Sequence, residues 1–351
     1  MTEGFYFGPG PTTLPSSVKS KINNAIDFLP GHSVGILEVS HRSDFFQTFA
    51  IELEQKLRSY LAVPATHSIA LVPAGARHQY HLLQQNFMAA DKKIASFSYG
   101  HWSNIMARWA EGAATTYTSY ADLAQQAKDY DFIQTVSNET VDGIAIAHPF
   151  LQHPGVLIDA TSDLCLRPIP IAAYAAVVAA TQKALGVAGL SVVIFRDDML
   201  QTENELATTL SLSCYARSHS LMVTPPVFAW WCCGLMLDWM VAQGGMSKLQ
   251  ALLVERSGHL YDIIDSNACF IRKRSSYMPS IQNIVFDFSD NGLAQDFFSK
   301  AHAHGLFGLE GHKMGGQVRV NLYHNVTEAA FASLCAFLKA YRYSTRASYV
   351  S

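Results

Sequence analysis

Residues 175–195, AAVVAATQKALGVAGLSVVIF, decide how the rest of the chain is read. One lysine, Lys183, stands between two short apolar runs, and Gly186 and Gly189 favour a turn over a helix. The stretch therefore reads strand, loop, strand, with the lysine at the start of the loop. A lysine in such a place is ordinarily solvated, so a functional role requires partners from elsewhere in the chain.

One partner lies upstream in GVLIDATSD, where Val156 to Ile158 reads as a buried strand that delivers Asp159 at its carboxyl end. In open α/β sheets, ligands bind beyond that edge. An acid and an amine at the ends of two such strands suit pyridoxal phosphate chemistry. The lysine forms the Schiff base, and the carboxylate keeps the pyridine nitrogen protonated so that the ring can take up electrons.

Seven stretches, one of them inside residues 175–195, follow one another in a telling order: FYFGPGPTTLP, EVSHR, GHW, SNETVDGIAI, TQKALGVAGL, TPPVFAW and GHKMGGQVRVNLY. Through them the chain resembles, nearly end to end, the phosphoserine aminotransferase family of class V, fold-type I pyridoxal phosphate enzymes. The resemblance implies an α/β fold, with a large domain built on a mostly parallel, seven-stranded sheet wrapped by helices and a smaller α/β C-terminal domain. It also implies transfer of an amino group between glutamate and 3-phosphohydroxypyruvate, giving phosphoserine and 2-oxoglutarate, on a pyridoxal 5'-phosphate cofactor.

Composition fits that expectation. At 351 residues the chain exceeds what one core usually supports, so two domains are expected. A hydrophobic fraction of 49% with 15% charged residues indicates a globular protein with little disorder. A formal net charge of -3 gives no reason to expect nucleic acid as a partner. MTEGFYFGPGP has neither a basic leader nor a long apolar core, and the apolar stretch Val227 to Ala242 is interrupted by Asp238. Cytoplasmic residence without a membrane partner is the resulting expectation. The six cysteines show no CxxC spacing and the histidines form no ligand cluster, so no metal site or redox pair is expected. His101, His302 and His304 read as ordinary surface or core residues.

Periodicity places the elements. A helix is expected from Pro15 to Leu29 with Val18, Ile22, Ile26 and Leu29 on one face, and a second, capped by Ser43, to about Leu61. Strand Ser68 to Val72 leads through PAGAR into a helix from about His78. Strands at Lys93 to Phe97, Asp131 to Val136 and Leu190 to Phe195 alternate with helices, which supports a mostly parallel sheet. After Pro225-Pro226 one helix begins, and after Gly244-Gly245 another runs from Ser247 to Ile264. The tail reads as strand Ile284 to Phe288, helix Leu293 to Ala303, strand Val318 to Tyr323 and helix Glu328 to Tyr341. The expected division is a large cofactor-binding domain over 16–244 and a small domain over 245–351, joined by 1–15.

The resemblance also assigns site residues. Lys183 would hold the cofactor, Asp159 face its ring nitrogen, Trp102 stack on the ring, Thr140 hydrogen-bond it, and Gln182 reach its phosphate. Ala76-Arg77 stands where the family has Gly-Arg in a phosphate-cradling loop; alanine keeps its backbone donor but tolerates positive φ poorly. Val223-Thr224 stands where the family has Asn-Thr reaching the cofactor of the neighbouring subunit, which implies a homodimer with shared active sites. His41 and Arg42 precede a helix start that already favours an anion. In the family this arginine holds a substrate carboxylate and this histidine helps hold the substrate phosphate. Arg319 matches an arginine at the α-carboxylate end, and His312-Lys313 a His-Arg pair at the phosphate end. Pro9 replaces a serine near the substrate. The departures at Pro9, Ala76, Val223 and Lys313 motivate one rival, a class V aminotransferase with another substrate; retention of Asp159 and Lys183 argues against a second, a non-catalytic relative.

Overall fold

Alternation inside short apolar runs builds the central sheet. In the strand Ser191–Arg196, Val192 and Ile194 join one buried cluster while Val193 and Phe195 join another. A strand that feeds two cores must be covered on both faces. The computed structural model, which describes residues 4–200 and 208–342, shows this covering over the sheet apart from the edge strand Ala114–Tyr117, which lies largely open. The ends of the expected small-domain ranges, 1–3 and 343–351, lie outside the described residues.

From edge to edge the seven strands run His67–Val72, Ser191–Arg196, Ala176–Ala180, Val156–Asp159, Phe132–Val136, Ile94–Phe97 and Ala114–Tyr117. Six point the same way; Ser191–Arg196 pairs antiparallel with both of its neighbours. The reversal follows from the short loop 181–190, which leaves no length for a crossover helix. Gly186 and Gly189 sit in it at φ +134° and +106°, backbone that a side chain would strain.

Ser43 caps the helix Asp44–Tyr60 by accepting from the Phe46 N–H at 3.3 Å. Phe46, Leu53 and Leu57 are buried, whereas Phe49 is half-buried against the Trp231 ring. The helix Ser16–Asp27 stops short of Leu29, which is buried from an extended segment instead. The helix expected near His78 spans Ala76–Phe87 with Gly75 as its N-cap. It starts two residues early because Ala76 and Arg77 are both good helix formers. Gly75 has φ -96°, so the alanine in this loop meets no demand for left-handed backbone.

Helix Val227–Ala242 follows Pro225-Pro226 directly, and helix Gly245–Ser266 follows after Gly244 at φ +100°. Among the described residues no helix is long and apolar enough to cross a membrane. The C-terminal part carries an antiparallel sheet in the order Phe270–Arg272, Asn283–Phe288, Val318–Asn321. The N-terminal strand Phe5–Tyr6 pairs with Leu306–Phe307 and so returns the chain's start to this part. A third small sheet, containing Asn138–Glu139, Ile144–Ala145 and Met278–Pro279, joins it to the central sheet.

Candidate active site

Neighbouring parallel strands end together, and their last side chains share one space. The strands Phe132–Val136, Val156–Asp159 and Ala176–Ala180 finish at a cavity of about 520 Å³. Its wall includes Asp159, Lys183, Gln182, Trp102, Thr140, Ala76, Arg77, His312, Arg319 and Pro9.

Asp159 is buried at the strand end, and its Oδ1 accepts from the Thr161 N–H at 2.8 Å. The Tyr80 hydroxyl donates to Oδ2 at 2.7 Å. Burial pushes the carboxyl up from its ordinary range, while Thr161, Tyr80 and the charge of Lys183 pull against it. Lys183 follows the adjacent strand and is partly open through the cavity. Burial, opposed by Asp159 and reinforced by Arg319, brings its amine down to about 8. The N-terminal segment holds the lysine loop in place: Thr12 Oγ1 donates to the Lys183 carbonyl at 2.6 Å and the Thr12 N–H to that of Gln182 at 3.0 Å. A Cβ at Gly10 would lie 3.3 Å from Lys183 Cγ, so the backbone here lies directly along the lysine stem.

Trp102 opens the helix His101–Trp109. Its indole N–H donates to Thr140 Oγ1 at 2.9 Å, which leaves the threonine proton free to donate elsewhere. The Trp102 and Ser103 N–H groups donate to the two oxygens of Glu139 at 2.7 and 2.6 Å. That carboxylate thus closes the start of the helix. Burial raises it to about 7 against these bonds. The Arg77 guanidinium carbon stands 5.7 Å from the Trp102 ring centroid. Arg319 Nη1 donates to the Thr140 carbonyl at 3.0 Å.

Other expected site residues stand elsewhere in the chain. His41 and Arg42 occupy the turn before the Asp44 helix, where the Arg42 N–H donates to Ser40 Oγ at 3.1 Å, and neither lines this cavity. Val223 and Thr224, before Pro225, do not line it either, and Lys313 is exposed beside the lining His312.

Tyr80 and Asn138, which line the cavity, and Glu139, which supports Trp102 from behind it, were not assigned by sequence reasoning. Tyr80 had a signal, lying one helical turn beyond Ala76 and so on the same face. His101, read as ordinary, places its ring 4.8 Å from that of His312 at the cavity wall.

Comparisons with known proteins identify the family and the fold. The family model described as Aminotransferase class-V matches residues 5–334. A protein named phosphoserine aminotransferase from Coxiella burnetii (strain CbuK_Q154) is 32% identical, covering 96% of this chain and 98% of its own. One of the same name from Lactobacillus helveticus (strain DPC 4571) is 30% identical over 95% of this chain and 93% of its own. The crystal structure of PLP-bound phosphoserine aminotransferase from Trichomonas vaginalis superposes with a TM-score of 0.86 at 25% identity, covering 96% and 100% of the two chains. Matched by that model from its first described strand into its last helix, the chain belongs to the class-V aminotransferase family.

Proposed function

We propose that this chain is a phosphoserine aminotransferase, moving an amino group between glutamate and 3-phosphohydroxypyruvate on pyridoxal 5'-phosphate. One observation carries the reading: Asp159 and Lys183, at the ends of neighbouring parallel strands, line a single cavity and feel each other's charge.

The residues present fit the cofactor. A buried carboxyl whose charge is opposed by burial suits a cationic N–H partner such as a protonated ring nitrogen. The start of the Ala76–Phe87 helix has no side-chain cap, and a Cβ at Gly75 would meet nothing within 4 Å, so the Ala76 and Arg77 N–H groups suit a phosphate, while the His78 N–H donates to the Gly75 carbonyl at 3.1 Å. Asp159 would face the ring nitrogen, Trp102 the ring plane, Thr140 a ring substituent, and Ala76, Arg77 and Gln182 the phosphate. Bound there, the cofactor supplies an electron sink for a carbanion at the substrate Cα.

The chain's own residues then divide the work. Lys183, with its amine lowered to about 8, holds a proton weakly enough to exchange it with the substrate Cα near neutral pH. Arg319 binds the α-carboxylate, and its fork sets the substrate's orientation. His312 and Lys313 orient the phosphate; His41 and Arg42, outside this cavity, would serve a second copy's site, the histidine at the substrate phosphate and the arginine at a substrate carboxylate. The positions of Val223 and Thr224 outside their own cavity support a homodimer in which they serve a second copy's cofactor. Cytoplasmic residence completes the reading.

Pro9 lining the cavity without a hydroxyl or a backbone donor favours a second reading, a class V aminotransferase of another amino acid. Turnover of phosphoserine, serine and alanine with 2-oxoglutarate separates the two. Phosphoserine is the expected donor, and a clear preference for an unphosphorylated amino acid would defeat the first reading.

A further inference from the structure

Beside the cavity, three buried asparagines join end to end. Asn321 Nδ2 donates to the Phe7 carbonyl at 2.6 Å, Asn283 Nδ2 to Asn321 Oδ1 at 2.7 Å, and Asn138 Nδ2 to Asn283 Oδ1 at 2.8 Å. A backbone carbonyl can only accept, so Phe7 determines which end of Asn321 faces it, and each amide then determines the next. The run has one polarity: turning any single amide over sets oxygen against oxygen.

What this run connects gives it a role. Asn283 and Asn321 stand directly opposite each other on antiparallel strands. Asn321 lies two residues beyond Arg319, on the same face of its strand, and Asn138 lies two residues before Thr140. Arg319 already bonds to the Thr140 carbonyl. Two ties, each displaced by two residues on both sides, therefore hold the strand Val318–Asn321 against the segment 138–140. One bond to a carbonyl leaves a guanidinium free to swing about it, and Arg319 Nε is buried without a protein partner. The second tie fixes the strand from which the Arg319 side chain projects, and so limits where its guanidinium can reach. A buried polar run joined end to end specifies one arrangement where apolar packing would tolerate several, although Asn138 Oδ1 at its far end has no protein partner.

We propose that Asn283, acting through Asn321 and Asn138, is a positioning residue that sets where Arg319 meets the substrate carboxylate. The proposal rests on the reading above in one respect, that Arg319 faces that carboxylate.

Asn283→Ser breaks the run while leaving room for water, and Asn283→Asp keeps the shape but turns an acceptor toward Asn321 Oδ1. In the holoenzyme, Asn283→Ser is expected to raise KM for glutamate and phosphoserine about tenfold, with kcat changed less than about threefold. The dissociation constant for glutarate, a dicarboxylate that cannot react, should weaken by the same factor while cofactor affinity holds. In an Arg319→Lys background Asn283→Ser should add less than about twofold, because the partner it positions is already altered. Full multiplication of the two effects overturns the proposal, as does an unchanged glutarate affinity or a parallel fall in cofactor affinity. Asn283→Asp is expected to weaken glutarate more than Asn283→Ser; the reverse order contradicts the polarity argument. Should the parent fail to turn over phosphoserine, the reading of its function fails, and the glutarate titration still decides this inference.

Discussion

The Tyr80 hydroxyl donates to Asp159 Oδ2 at 2.7 Å, from a helix to a strand end 79 residues further along the chain. Burial holds the phenol well above its ordinary value, so it remains a donor across the working pH range. Tyr80→Phe removes a bond that favours the charged carboxylate, so the Asp159 carboxyl rises further. We expect kcat to fall about tenfold, the size of one hydrogen bond to a charged group. The acidic limb of the pH–rate profile should move upward, and a limb that stays in place would contradict the role given to Tyr80.

Lys183 makes the protein without cofactor pH-sensitive. Its amine, lowered from 10.5 to about 8, carries a buried charge below pH 8, whereas the unfolded chain keeps its proton until about 10.5. The folded state is therefore penalised below pH 8 and relieved as pH rises from 8 to 10.5. Relative to Lys183→Met, stability in urea should increase across that interval by about 1–2 kcal/mol, a figure reduced because the side chain reaches cavity solvent; the comparison cancels the buried thiols and phenols that titrate in the same range. Both proteins are measured without cofactor, and identical slopes would contradict the buried charge given to the lysine.

Glu139, raised to about 7, accepts from the first turn of the Trp102 helix through both oxygens. Protonation turns one acceptor into a hydroxyl and weakens one of those bonds. Tryptophan fluorescence should follow a titration with a midpoint near 7. The transition should be absent in Glu139→Gln and in Trp102→Phe; its persistence in either would assign it to another group.

Ser43 acts far from the chemistry. Its loss in Ser43→Ala should cost about 1 kcal/mol of stability through the uncapped helix. Cofactor affinity should be unchanged, and the urea midpoint with a cofactor titration checks both.

Asp159 and Lys183 were legible because a strand's period ends where its apolar run ends: Asp159 closes its strand, and Lys183 follows the end of the next one, at Ala180, by three residues. Ser43 was legible for the same local reason: a cap is read from the residues on either side of it. Tyr80 and Glu139 escaped because their partners are set by how separate elements meet, which no window of sequence contains. The start at Ala76 escaped because a boundary between two good helix formers carries no punctuation. The asparagine run was hidden for both reasons, spanning 145 residues between Asn138 and Asn283 with no periodic signal at either end.

The reversed strand Ser191–Arg196 has one more consequence, for the order in which the molecule assembles. Because it folds back on Ala176–Ala180 across so short a loop, this hairpin closes with little loss of loop entropy, whereas its other neighbour lies more than a hundred residues away in the chain. Pulse-labelled amide exchange during refolding should find residues 176–195 protected ahead of residues 67–72; simultaneous protection would refute this order. The amine that is to grip the cofactor is then in place before the chamber around it has walls.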